Sequence, residues 1–219
     1  MADPAAGARS KKRVKLSRAE KSQQIRESLF TAAAKVVGQE GYTNTMVSTI
    51  TAQANVAQGT FYNYFESKQD LFDQLLPALG REMLDFIREE VTDITNALER
   101  EERSFRAFFT FLKIRPEFYR ILYEAEVFAP AGFKQHMKIV SKGYISFLKE
   151  ALARGELKAA DDRELEPIAY MLMGIRHYLC MRFARIEGET NSLPEWIIRT
   201  YMDTITSGTF VAPSPVHTS

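Results

Sequence analysis

Cysteine is almost absent: Cys180 stands alone among 219 residues. No internal disulfide can form, and nothing points to an oxidising compartment. Histidine is nearly as scarce. His136, His177 and His217 make no His-x-x-x-His pair, and no second cysteine completes a zinc spacing. No metal or cofactor is expected. A Gly-rich phosphate loop, a Gly-x-Ser-x-Gly elbow and a nucleophile–base pairing are missing too, so an enzyme is not expected. No apolar run reaches the roughly 18 residues of a membrane span. The basic N-terminus has no apolar stretch behind it, as a secretory leader would. A cytoplasmic protein with no membrane partner follows as an expectation. Strand-like alternation is also lacking. Excess charge is small at net +1, but it is unevenly placed: residues 1–68 carry +5 and the remainder −4. A basic segment joined to a mildly acidic body outlines a nucleic-acid reader with a separate second function, although chance alone produces such asymmetry.

What is present is helix, with 45% hydrophobic and 26% charged residues in an ordinary globular balance. Residues 1–16 offer no apolar face and read as a disordered basic arm. Lys11, Lys12, Arg13 and Lys15 there suit either DNA phosphates or a solubilising tail. Ser17-x-x-Glu20 is a capping box that opens a helix. Ile25, Leu29, Ala32, Ala33 and Val36 form its apolar stripe, and Gly41 suits a positive-φ ending. A short helix follows Thr45, then a turn at Ala54-Asn55-Val56, then a helix over 57–64. Ser67-x-x-Asp70 caps the next helix, which Pro77 is expected to kink or interrupt. Further helices are expected at 81–99, 104–114, 117–125, 133–154, 163–187 and 194–207, punctuated by Pro116, Pro130, Gly155, Gly188 and Pro194.

Residues 41–72 carry the functional signal. Two short helices joined by a tight turn make a helix-turn-helix, whose second helix enters the major groove. At 100° per residue, Phe61 and Phe65 share one side of that helix and must face a core. Gly59, Thr60, Tyr62 and Asn63 lie on the other, a small polar face with no acidic group. Gly59 lets a backbone approach closely. Gln58 at the leading end can reach a base edge, best an adenine. Lys68, in the first turn of its helix, opposes the helix dipole, so it is either a solvated surface lysine or a phosphate contact. Tyr62 and Tyr64 suit packed rings with exposed hydroxyls.

This stretch resembles the N-terminal domain of the tetracycline-repressor (TetR) family. The matching residues are Gly41-Tyr42, Thr45, Val47, Ile50, Ala54, Val56, the run Gly59-Thr60-Phe61-Tyr62-Asn63-Tyr64-Phe65, and Ser67-Lys68 followed by Asp70-Leu71-Phe72. With the preceding helix the resemblance covers about 60 residues. It implies DNA contacts at Ser48, Gln58, Thr60, Tyr62, Tyr64 and Lys68, to which the polar face adds Gly59 and Asn63. It also implies a homodimer on a palindromic double-stranded DNA operator. The implied fold is all-α, with a three-helix reading domain at 17–68, a helical effector-binding and dimerisation domain at 69–210, and a flexible tail at 211–219. Three positions depart from the pattern. Asn55 replaces the usual Gly, Ala57 replaces a capping Ser at a cost of roughly 1 kcal/mol, and Gln58 replaces a common Lys or Arg.

The body is rich in aromatics, most of them suited to core packing. Some suit the lining of a cavity for a small hydrophobic or aromatic effector. Candidate lining residues are Phe109, Tyr123, Glu124, Phe128, Tyr144, Met173 and His177. His177 reads first as a hydrogen-bonded structural histidine, with a polar contact to ligand as the alternative. Arg176 could pair with an acid across an interface or hold an anionic head group. Residues 168–183 are apolar around the whole helix and must bury two faces. With the last helix they form the implied dimer interface, through Ile168, Met171, Gly174, Ile175, Tyr178, Trp196, Ile198, Tyr201 and Ile205. Cys180 reads as an inert buried thiol. The reading that follows is a DNA-binding repressor released by its effector. Two rivals remain: a ligand-independent architectural DNA-binding protein, which should have no useful cavity, and a lipid-binding or enzymatic helical domain, which should ignore duplex DNA.

Overall fold

The computed structural model describes residues 17–159, 161–183 and 193–207. The basic arm at 1–16, the helix end at 184–187 and the tail at 211–219 lie outside them. All regular structure among the described residues is helical. Helix α1 (Arg18–Asn44) opens on the expected capping box, with Ser17 Oγ accepting from the Glu20 amide at 3.2 Å and the Glu20 carboxylate accepting from the Ser17 amide at 2.7 Å. Gly41 breaks its helical geometry at φ 81°. Helix α2 (Val47–Gln53) leads into the turn where Asn55 takes φ 55°, the left-handed conformation asparagine tolerates. Helix α3 is shorter than expected, Gln58–Phe61 rather than 57–64. Its continuation tightens: the Asn63 and Tyr64 amides reach back only three residues, to Thr60 O and Phe61 O.

Helix α4 (Lys68–Glu90), capped by Ser67 Oγ on the Asp70 amide, corrects a second expectation. It continues past Pro77 as one helix, so no separate helix starts at 81. Pro77 cannot bond the Asp73 carbonyl, and that oxygen is instead covered by Gly132, where a Cβ would collide with it. The chain then turns at 91–96. Asn96 accepts from the Glu99 amide and starts α5 (Ala97–Ile114) seven residues before the expected 104. Helices α6 (Glu117–Phe128), α7 (Pro130–Ala153), α8 (Leu165–Phe183) and α9 (Glu195–Ser207) follow. The core is continuous from head to body. Phe61 and Phe65 pack with Leu29, Ile50 and Leu71 beneath α3, while α1 lies along α6 and α4 along α7. No described helix is long and apolar enough to cross a membrane.

Candidate DNA interface and effector cavity

Phe61 and Phe65 are 0% and 1% exposed, with ring centroids 5.3 Å apart, and Phe65 meets Phe30 edge-on at 5.3 Å. Anchoring that side of α3 turns Gln58, Gly59 and Asn63 fully outward, with Tyr62 56% exposed and Thr60 half-exposed. Ser48, on α2, is exposed as well. A Cβ at Gly59 would meet nothing within 4 Å, so the chain itself gives no steric reason for glycine there. Ala57 makes no side-chain cap, as its missing hydroxyl requires. Tyr64 packs half-buried on the core. Lys68 is also half-buried. Its ammonium donates to Thr45 O at 2.9 Å and lies 5.4 Å from the Phe72 ring centroid, so it ties the α1–α2 junction to α4. An ammonium has three donors, and this bond uses one.

Between α4, α5, α6, α7 and α8 lies a cavity of about 500 Å³. Four of the sequence candidates meet there: Tyr123, Tyr144, Met173 and His177. Three do not. Phe109 packs on Phe105 and Phe108 and borders a separate surface depression with Ile198. Glu124 accepts from the Tyr42 amide at 2.9 Å, and Phe128 stacks on the Tyr42 ring at 6.1 Å, so both sit at the contact between head and body. Much of the wall comes from residues outside those seven candidates, although Phe118, Leu122 and Phe133 belong to the apolar and aromatic supply that the sequence offered for such a cavity. Met83, Leu84 and Ile87 come from α4, Phe118 and Leu122 from α6, and Phe133, His136, Met137 and Val140 from α7. The last four repeat at i, i+3, i+4 and i+7, a stripe that was legible; which cavity it would face was not. His136 is buried against α4, where a Cβ at Gly80 would strike its ring, and burial pushes its imidazole down to about 4.

At the α5–α8 side sits an internal ion pair. Arg176 Nη2 donates to Glu101 Oε1 at 2.7 Å and to Ser104 Oγ at 3.2 Å, and Nη1 donates to Ser104 O at 3.1 Å. The Tyr201 hydroxyl donates to the same Glu101 oxygen, which ties α9 to α5. Arg176 thus pairs inside its own chain rather than across an interface. Burial works against its charge, but Glu101, Tyr144 and Tyr201 together raise the guanidinium above its ordinary value. Burial raises the Tyr144 and Tyr201 phenols as well.

The expected interface residues divide. Met171, Tyr178 and Trp196 are exposed, at 60%, 66% and 57%. Ile168, Gly174, Ile175 and Ile205 are half-buried, and Gly174 borders the cavity. Ile198 and Tyr201 are buried within the chain, because Tyr201 turns inward to stack on Phe105 at 4.1 Å. Cys180 is buried.

The family model for bacterial regulatory proteins of the tetR family matches residues 29–75, from α1 into α4. The uncharacterized HTH-type transcriptional regulator YhgD of Bacillus subtilis is 23% identical over 155 residues, 71% of this chain and 81% of its own. The fatty acid metabolism regulator protein of that organism is 27% identical over 142 residues, 63% of this chain and 73% of its own. Among solved structures, the B. subtilis transcriptional regulator FadR in complex with stearoyl-CoA superposes with a TM-score of 0.68 at 18% identity, over 84% of this chain and 100% of that one.

Proposed function

We propose a repressor's cycle for this chain, which belongs to the TetR family of bacterial regulatory proteins and is a DNA-binding transcriptional regulator. Two copies pair through the exposed faces of α8 and α9 in the cytoplasm. Their α3 helices enter successive major grooves of a palindromic operator, about 34–36 Å apart. Gln58 reads a base edge, Gly59 brings backbone close to the duplex, and Ser48, Thr60, Tyr62, Asn63, Tyr64 and Lys68 bond to phosphates. The observation that carries this reading is the outward strip of Gln58, Gly59, Tyr62 and Asn63 over two fully buried phenylalanines.

The cavity takes a small hydrophobic or aromatic effector, and its apolar wall along α4, α6 and α7 suits a hydrocarbon chain. A long-chain acyl thioester is the first compound to try, since the FadR structure holds stearoyl-CoA. An effector that binds better when the two heads are spaced wrongly for the operator shifts the population to that state and releases DNA. The architectural alternative leaves the cavity without a purpose.

Duplexes selected from a random pool by the pure protein supply the test, read by fluorescence anisotropy across salt concentrations. Tyr62→Ala should weaken binding with the dimer intact. Lys68→Ala should weaken it for all sequences and lower the salt slope by about 1. Gly59→Ala should leave stability unchanged or slightly raised and still lower affinity. Unchanged binding in all three removes the assignment.

A further inference from the structure

We propose that the basic segment from Arg9 to Lys21, which runs into the first turns of α1, is a second duplex-binding site. It grips phosphates beside those that α2 and α3 touch and supplies most of the counter-charge that the reading head lacks. This rests on the reading above, that α3 takes DNA.

The head is short of cations. Residues 36–67, from the end of α1 through α2 and α3, hold no lysine or arginine but include Glu40 and Glu66. The exposed and half-exposed groups there, on Ser48, Gln58, Thr60, Tyr62 and Asn63, are all neutral. The flanking cations are partly committed. Lys68 gives one of its donors to Thr45 O. Arg26 donates to Gln74 Oε1 at 2.7 Å, with its guanidinium 4.7 Å from the Phe30 ring centroid. A hydroxyl or an amide bonds a phosphate without neutralising it, so it releases no counterion. A duplex on α3 alone meets a segment whose own charge is negative, which opposes its approach.

The missing charge stands immediately upstream. Residues 9–21 hold seven lysines and arginines against one acid, Glu20. That acid is occupied by the cap, where it accepts from the Ser17 amide at 2.7 Å. The placement follows from α1. The Arg26 guanidinium also lies 5.7 Å from the ring centroid of Phe65, in the turn after α3. Helix α1 therefore crosses the head at the far end of the reading helix. Ser17 to Gln24 are exposed throughout, so the helix continues past the core. At 1.5 Å per residue, Arg18 lies about 12 Å along the axis beyond Arg26. Residues 9–16 add a reach of up to about 27 Å. Together they extend to phosphates outside the half-site that α3 reads.

The test uses the full-length protein, the duplex it selects and anisotropy across salt concentrations. Lys11→Gln, Lys12→Gln, Arg13→Gln and Lys15→Gln together neutralise the segment. Lys134→Gln, Lys138→Gln, Lys142→Gln and Lys149→Gln together remove the same charge from exposed positions of α7. The first set should lower the salt slope of the dimer by about 4 and weaken binding about 10-fold or more near 0.15 M salt. The second should change affinity by less than about 2-fold. Arg18→Gln with Lys21→Gln should weaken binding about 3-fold. Trimming the flanks from the duplex should cost the wild type about 10-fold and the first set less than about 2-fold. The ratio of affinities for selected and scrambled duplexes should stay unchanged, since phosphate contacts carry no sequence information. A slope that the first set leaves unaltered makes the segment a solubilising tail and overturns the proposal. Equal losses in the two sets overturn it as an effect of net charge. A falling selected-to-scrambled ratio puts the segment on base edges and removes the phosphate assignment. A wild type that retains no duplex at low salt is a different failure: it removes the DNA-reading assignment, and this site with it.

Discussion

His136 carries a proton balance that can be measured. Its imidazole sits against α4 at Gly80, buried and neutral, and burial holds it near 4 rather than the ordinary 6.5. Above the ordinary value, folded and unfolded chains are both neutral there, and the full stability is present. As pH falls through 6.5 towards 4, the unfolded chain takes up a proton that the native state refuses, and stability is lost. The loss between pH 7 and pH 5 should be about 2 kcal/mol by urea unfolding. His136→Asn should flatten that slope whatever it does to absolute stability. An unchanged slope would show that another group titrates. The residue scale also separates two glycines. Gly41 is demanded by its positive φ and by the α6 side chains over it, whereas Gly59 meets nothing in its own chain and points to a partner outside it.

Elements behaved as local chemistry dictates wherever the local signal stood alone. Ser17, Ser67 and Asn55 did what their side chains predict. Pro77 did not end its helix; the Asp73 carbonyl that proline leaves free lies against Gly132 of a helix more than 50 residues downstream, and sequence order carries no trace of that contact. Helix α8 shows the same limit. Its all-round apolarity predicted two buried faces, but Arg176 was legible only as a charge in an apolar helix. Its partner Glu101 lies 75 residues away, in the stretch between the helices expected at 81–99 and 104–114. Glu101→Gln removes the counter-charge and leaves Arg176 buried against a neutral amide. The expected cost is about 3–5 kcal/mol of unfolding free energy, seen as a lower denaturation midpoint, and the Tyr201 hydroxyl is left a neutral amide oxygen in place of the carboxylate it donates to.

At the scale of the whole molecule, the exposed apolar residues of α8 and α9 predict the assembly. Met171 and Tyr178 touch little in their own chain, so Met171→Glu with Tyr178→Glu should leave the fold intact. Sedimentation should show the pair of substitutions converting a dimer to monomers. Losing the second reading head should then lower duplex affinity about 100-fold or more. A variant that sediments as the wild type does would place the interface elsewhere. Ile198 and Tyr201 could not have been separated from this face in the sequence, because amphipathic spacing marks an apolar stripe and not what covers it.

The order of amino acids by itself determined the helical architecture, the caps, the left-handed turn at Asn55 and the outward strip of α3, since each depends on neighbours within about four residues. Tertiary structure decided which aromatics enclose the cavity, that Glu124 and Phe128 hold the head to the body, and that the Arg176 charge pairs with Glu101 of its own chain. Those outcomes join residues many tens of positions apart. Only the packing of one helix on another selects among the several apolar or charged partners that spacing permits.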